Sequence, residues 1–148
     1  MKNEALSKLE GLVGDWDLTM TDAWFLDSPD IKVHGTATIT WLGEAFLYIH
    51  STWPDDSTWD WVIGRSDPHE QLTVLYHDDR GVCRVFRLTL EDGELMMWRD
   101  DPDFHQRFVG TVAADRIDAR TEASEDFGKT WRKDFDLIFE RRAAPQAR

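Results

Sequence analysis

From Gly14 to Arg141 apolar and polar residues alternate with a period of two, and short clusters of Asp, Gly, Pro and Ser interrupt them. Trp16, Leu18 and Met20 alternate with Asp15, Asp17, Thr19 and Thr21. Successive side chains of a strand point to opposite faces, so this pattern specifies a strand with one apolar face. It recurs over residues 33–42, 45–53 and 58–65, with Pro54-Asp55-Asp56-Ser57 and Ser66-Asp67-Pro68 as turns. Residues 71–77 and 81–90 flank Asp78-Asp79-Arg80, and Asp92-Gly93 marks a second tight hairpin. Residues 94–99, 104–112 and 116–122 follow, and the last strand runs from about Lys129 to Arg141 after Asp126-Phe127-Gly128. The sum is about ten strands.

One segment breaks the rule. Leu6, Leu9, Leu12 and Val13 stand at helical spacing, and Gly11 and Gly14 can end a short N-terminal helix. No helix is long enough for a parallel crossover, so consecutive hairpins must build an antiparallel meander. A sheet of this width curls, and closure removes its exposed edges. The expected fold is therefore all-β, an antiparallel up-and-down β-barrel of about ten strands with a short N-terminal helix. A two-sheet sandwich is the competing architecture. A chain of 148 residues favours one domain. That domain is expected over residues 1–142, with residues 143–148 as a frayed tail.

Charge narrows the partners. There are 17 Lys+Arg against 29 Asp+Glu, a formal net charge of -12. A nucleic-acid binder or a polybasic membrane-surface protein needs the opposite balance, so no nucleic acid and no membrane are expected as partners. The hydrophobic share of 41%, with eight Trp and eight Phe, is enough for a real core. The single cysteine, Cys83, rules out an internal disulfide and a zinc site built from several thiolates. The opening residues lack the apolar run of a secretory signal, so a cytoplasmic location is expected.

The N-terminal helical turn followed by Gly14-Asp15-Trp16 on the first strand resembles the calycin (lipocalin-like) superfamily. Its barrels open with a G-x-W signature. The resemblance implies that Trp16 caps a closed barrel end and that Arg141 or Arg142 packs over it. Trp61-Val62-Ile63-Gly64-Arg65, the stretch from Val74 through His77 to Val82, Met97-Trp98-Arg99-Asp100, Gln106-Arg107-Phe108 and Gly128-Lys129-Thr130-Trp131 resemble an uncharacterised bacterial branch of that group. Nitrobindin-like haem barrels are related, with a first strand reading G-x-W-x-G-x-G and an iron-binding histidine near the C-terminus. Here Asp17-Leu18-Thr19 lacks the later glycines, and the last histidine is His105. No haem or other cofactor is expected.

In a barrel alternate residues face inward, so polar residues in the apolar phase carry the information. Arg84 shares a phase with Val82, Phe86 and Leu88; Tyr76 and Asp78 follow Leu72 and Val74; Gln106 stands between Phe104 and Phe108. An unpaired buried guanidinium is costly, so Arg84 either anchors a ligand carboxylate or forms an internal ion pair, with Asp78 as the expected partner. Phe46, Tyr48 and His50 form one candidate inward phase, which makes His50 the histidine to keep. Trp59, Trp61 and Trp98 are placed near a cavity. His69 sits in a Pro-His-Glu turn, His77 and His105 fall in outward phases, and no histidine pair has a metal-ligand spacing, so no metal is expected. Cys83 reads as a small, at least half-buried hydrophobe.

The reading that results is a barrel that binds a small, partly apolar molecule. Trp61, Phe86, Phe108 and Trp98 would cover its apolar body, and Arg84, Tyr76, Gln106 and His50 would meet its polar end. Two alternatives stay open. One is a small-molecule enzyme of proton-transfer type on the same barrel, using Tyr76, His50 or Asp78. The other is a structural domain with a filled core, with a second copy of the chain as partner through an outer sheet face.

Overall fold

In the computed structural model, residues 1–67 and 71–143 are described. Ten strands follow one short helix: β1 (Gly14–Thr21), β2 (Val33–Leu42), β3 (Phe46–Thr52), β4 (Thr58–Arg65), β5 (Leu72–Asp78), β6 (Cys83–Glu91), β7 (Glu94–Asp101), β8 (Phe104–Val112), β9 (Arg116–Ser124) and β10 (Arg132–Arg141). Every strand pairs antiparallel with its sequence neighbours, and β1 pairs with β10, which closes the barrel. The up-and-down barrel read from the alternation is what forms, and the sandwich is not. His69 and residues 144–148 lie outside the described residues.

Turn chemistry sets the register. Asp92 and Gly93 both take positive φ, 51° and 79°, the requirement of a two-residue hairpin whose twist matches its strands. That turn pairs Glu91 with Glu94 and hence Leu88 with Met97 and Arg87 with Trp98. The turn after Thr52 pairs Thr52 with Thr58, and hence Ser51 with Trp59 and His50 with Asp60. Since Trp61, Ile63 and Leu88 are buried in the core, these registers decide which face every neighbour takes.

The helix, Glu4–Leu12, is a 3-10 helix, and its sequence says why. Leu6, Leu9 and Leu12 recur every third residue, and with three residues per turn they eclipse into one stripe. All three are buried. Asn3 caps the start by accepting a hydrogen bond from the Ala5 amide at 3.1 Å.

This helix plugs one barrel end. Trp16, fully buried, donates from Nε1 to the Leu12 carbonyl at 2.9 Å and meets Phe139 edge-on. Arg141, opposite Trp16 in the β1–β10 seam, lays its guanidinium 4.3 Å from the Trp16 ring. Its nitrogens reach the carbonyls of Val13 at 2.9 Å and Ala114 at 3.1 Å, and also that of Gly11. Gly14 has φ +145°, and a Cβ there would stand 2.6 Å from Arg141 Nη1, so only glycine serves.

Candidate functional site at the barrel mouth

The opposite end holds the inward polar groups. Tyr76 and Asp78 stand at the end of β5, Arg84 at the start of β6, and Arg99 and Gln106 face each other across β7 and β8. Each belongs to the inward phase of its strand, which carries Val74 on β5, Phe86 on β6, Met97 on β7 and Phe108 on β8. The apolar body of the site is aromatic. Trp59 contacts Trp61 at 6.1 Å, Trp61 contacts Tyr76 at 5.5 Å and Tyr76 contacts Phe86 at 6.4 Å. Outward, Trp59 meets Phe135 at 5.7 Å, and Phe135 meets the half-exposed Phe25 at 6.1 Å. Phe25 belongs to the long β1–β2 loop. Trp24 ties that loop to Asp134 through its indole at 3.0 Å and through its amide at 3.2 Å.

Three arginines of the mouth are treated differently. Arg80 binds Asp78 at 2.6 Å. Asp78 also accepts from the Tyr76 hydroxyl at 2.7 Å and from the Arg80 amide at 3.0 Å. Burial opposes ionisation of Asp78, but the hydrogen bonds from Arg80 and Tyr76 outweigh it and hold its pKa at about 2. Burial, then the bond to Asp78, pushes the Tyr76 hydroxyl well above its usual range. Arg99 is buried and held by Asp101 at 2.9 Å, Asp103 at 3.0 Å and the Phe104 carbonyl at 3.2 Å. Arg84 has no such partner among the described residues. Its Nη1 meets only the Gln106 Oε1 at 3.4 Å, and its guanidinium sits 4.8 Å from the Phe104 ring. Burial, and then the neighbouring charges of Arg99 and Arg80, lower its pKa.

The ion pair expected between Arg84 and Asp78 is therefore not formed. Arg84 does pair with Tyr76 in the strand register, but the Tyr76 hydroxyl turns along its own strand to Asp78. Below the mouth an apolar cavity of about 50 Å³ lies between Trp61, Phe108, Met97, Val74, Ile39 and the helix residue Leu9. No polar surface lines it.

Of the residues expected at the site, Arg84, Tyr76, Gln106, Trp61, Phe86 and Phe108 share the interior phase. Two do not. Trp98 lies opposite Arg87 and Arg107, on the outer face, because the Asp92-Gly93 turn puts Leu88 and Met97 inside. His50 lies opposite Asp60 on the outer face, because Leu47, Ile49 and Ser51 take the interior phase of β3. Cys83 is exposed rather than half-buried, directly across from His77. Arg99 and Asp101 were missed. The signal was the inward phase of Leu95 and Met97, which continues to both.

His50 nevertheless belongs to a cluster of its own. Asp60, 6% exposed although it points out of the barrel, accepts on Oδ1 from the Tyr48 hydroxyl at 2.5 Å and pairs there with His50 Nδ1 at 2.6 Å. His77 Nδ1 stands 4.0 Å from Oδ2. Among the described residues no group of three such side chains is arranged to hold a metal ion, and no helix is long and apolar enough to cross a membrane.

No protein-family model matches the chain, and no curated protein matches it in sequence. Solved structures match it in shape. The crystal structure of Rv2717c from M. tuberculosis superposes with a TM-score of 0.68 at 10% identity, covering 97% of this chain and 100% of that one. A de novo designed fluorescence-activating β-barrel gives a TM-score of 0.45 at 12% identity over 88% of this chain and 93% of its own. At such identities the likeness to Rv2717c is one of fold.

Proposed function

We propose that the barrel binds a small, partly apolar molecule at its mouth, as a calycin-like binding protein, with an acidic group of the ligand on Arg84. One observation carries this reading. Among the described residues, the half-buried Arg84 guanidinium has one hydrogen-bond partner, an amide oxygen at 3.4 Å, beside two arginines already matched to carboxylates. A buried charge without a counter-charge is costly, and an incoming carboxylate removes that cost.

Size limits the ligand. An apolar cavity of roughly 150 Å³ takes a benzene ring. The space of about 50 Å³ here takes a group of only a few carbons beneath Trp61. The ligand's body thus belongs against Trp59, Trp61 and Phe104 in the mouth, with a short end inserted below. Short-chain and small aromatic carboxylates fit this description. Calorimetric titration with hexanoate and with benzoate tests it. Binding of either, weakened in Arg84→Met, supports the reading. No heat with either acid, together with no co-purifying small molecule in native mass spectra, overturns it.

The enzyme alternative loses two of its three groups. Asp78 stays ionised and Tyr76 stays protonated around neutrality, so neither exchanges a proton readily there. The third, His50, is on the other face of the wall.

A further inference from the structure

We propose that Thr52, His50 and Asp60 form a separate acyl-transfer site on the outer wall of the barrel, which hydrolyses small, uncharged, activated esters through the Thr52 hydroxyl. The juxtaposition comes from strand geometry. Thr52 and His50 are two residues apart on β3 and share its outer face, and Asp60 is the direct cross-strand partner of His50 on β4. The three groups stand in the order hydroxyl, imidazole, carboxylate: His50 Nε2 is 3.4 Å from Thr52 Oγ1, and His50 Nδ1 is 2.6 Å from Asp60 Oδ1.

Asp60 decides the tautomer. An ionised carboxylate has no proton to give, so the hydrogen of that short contact belongs to His50 Nδ1. Nε2 then carries the lone pair, and the Thr52 hydroxyl donates to it. Tyr48 secures the arrangement. Its hydroxyl donates to the same Asp60 oxygen, and that hydrogen bond, with burial and the carboxylate charge, pushes its pKa up to about 12. Tyr48 thus remains a donor across the neutral range and fixes the carboxylate that orients His50. His77 stands on the far side of Asp60, 4.0 Å from Oδ2. The imidazole is accessible, since the His50 side chain is 40% exposed.

The chemistry closes on itself. Thr52 Oγ1 adds to the ester carbonyl carbon while its proton passes to His50 Nε2. The tetrahedral adduct collapses, the bond to the alcohol oxygen breaks, and that oxygen takes the proton from Nε2. The acyl group is now an ester of Thr52. Water repeats the sequence: it loses a proton to Nε2, the bond from the acyl carbon to Oγ1 breaks, and Thr52 recovers its proton as the acid leaves. The surroundings set the substrate class. Thr36 and Thr38, the β2 partners of Thr52 and His50, bring hydroxyls and no charge to this face. The His50 side chain is 40% exposed on the open wall, and small acyl groups on good leaving groups, which need little binding, are the class such a site takes.

The test uses the full chain with 4-nitrophenyl acetate. The protein should release nitrophenolate at least about tenfold faster than the same concentration of free imidazole, the lower range of positioned acid–base catalysis being larger still. Thr52→Val keeps the β-branched shape and should lose at least about tenfold of that rate. His50→Gln should lose as much, and acid-quenched wild type should carry one acetyl group on Thr52 in a peptide map. A wild-type rate equal to free imidazole overturns the proposal. So does a Thr52→Val rate equal to wild type, which would make His50 the nucleophile. Thermal melts of each variant establish that a lost rate is not a lost fold.

Discussion

Each end of the barrel holds an arginine in the inward phase, and the two are treated in opposite ways. At the plugged end, Arg141 is surrounded by the carbonyls of Gly11, Val13 and Ala114 and lies over the Trp16 ring. At the mouth, Arg84 is offered one amide oxygen and the face of Phe104. A guanidinium has five donors in a fixed fork, and a structure that uses it as a bolt supplies acceptors to match. The comparison teaches how to read a charged residue inside a barrel. Its phase says where it points, and the match of its acceptors says whether it belongs to the core or waits for something else.

The sharpest way to break this contrast is to remove the ring at the plugged end. Trp16→Ala should cost about 3–5 kcal/mol in urea unfolding, the range for a fully buried Trp. A loss below about 1 kcal/mol would mean that the helix, rather than Trp16, holds that end together. The two arginines come next. Arg141→Met should lower stability by about 1.5–3 kcal/mol, whereas Arg84→Met should leave stability nearly unchanged and weaken carboxylate binding by about the same amount. If both variants lose stability equally, the mouth is merely another core.

Acid probes the mouth by a different route. Asp78 has a folded-state pKa of about 2, below its unfolded value, so it stabilises the fold above roughly pH 4 and ceases to do so as pH falls toward 2. The shift corresponds to about 2 kcal/mol. Asp78→Asn should flatten the dependence of unfolding free energy on pH across that interval. An unaltered acid profile would show that Arg80 is not its counter-charge in solution. The smallest effect is expected at Trp98. Because it lies on the outer face, Trp98→Phe should leave carboxylate binding within about 0.5 kcal/mol of wild type.

Strand identity was legible in the sequence because each strand shows the same period and each turn carries its own chemistry. The inward residues of β4, β5, β6 and β8 followed from phase alone. The errors at His50 and Trp98 are of another kind. Residues 45–49 are apolar in both phases, so phase could not place His50, and Trp98 follows the doubly apolar pair Met96 and Met97. The answer was present in the hairpins. Once Trp59 and Trp61 are inside, the turn after Thr52 sends Asp60 and His50 outside together, and once Leu88 is inside, Asp92-Gly93 sends Trp98 outside with Arg87. The Arg84 contact was beyond phase or register. It depends on which way the Tyr76 hydroxyl turns, and Asp78 and Arg80 settle that from positions two and four residues away.

The β1–β10 seam has a consequence for the order in which the chain can be written. Trp16 and Arg141 are paired, so the first and last strands run side by side, and β1 begins where β10 ends, at the plugged end. Every other pairing joins strands consecutive in sequence, which leaves this one as the long loop to be closed during folding. A linker running from beyond β10 to the N-terminal helix, with a cut between Asp92 and Gly93, would make β10 and β1 consecutive strands, joined through that helix. The β6–β7 pair would then become the distant one. A circular permutant of this kind keeps every strand partner, and it moves the slow step of closure from the wall beside Trp16 to the wall beside Leu88.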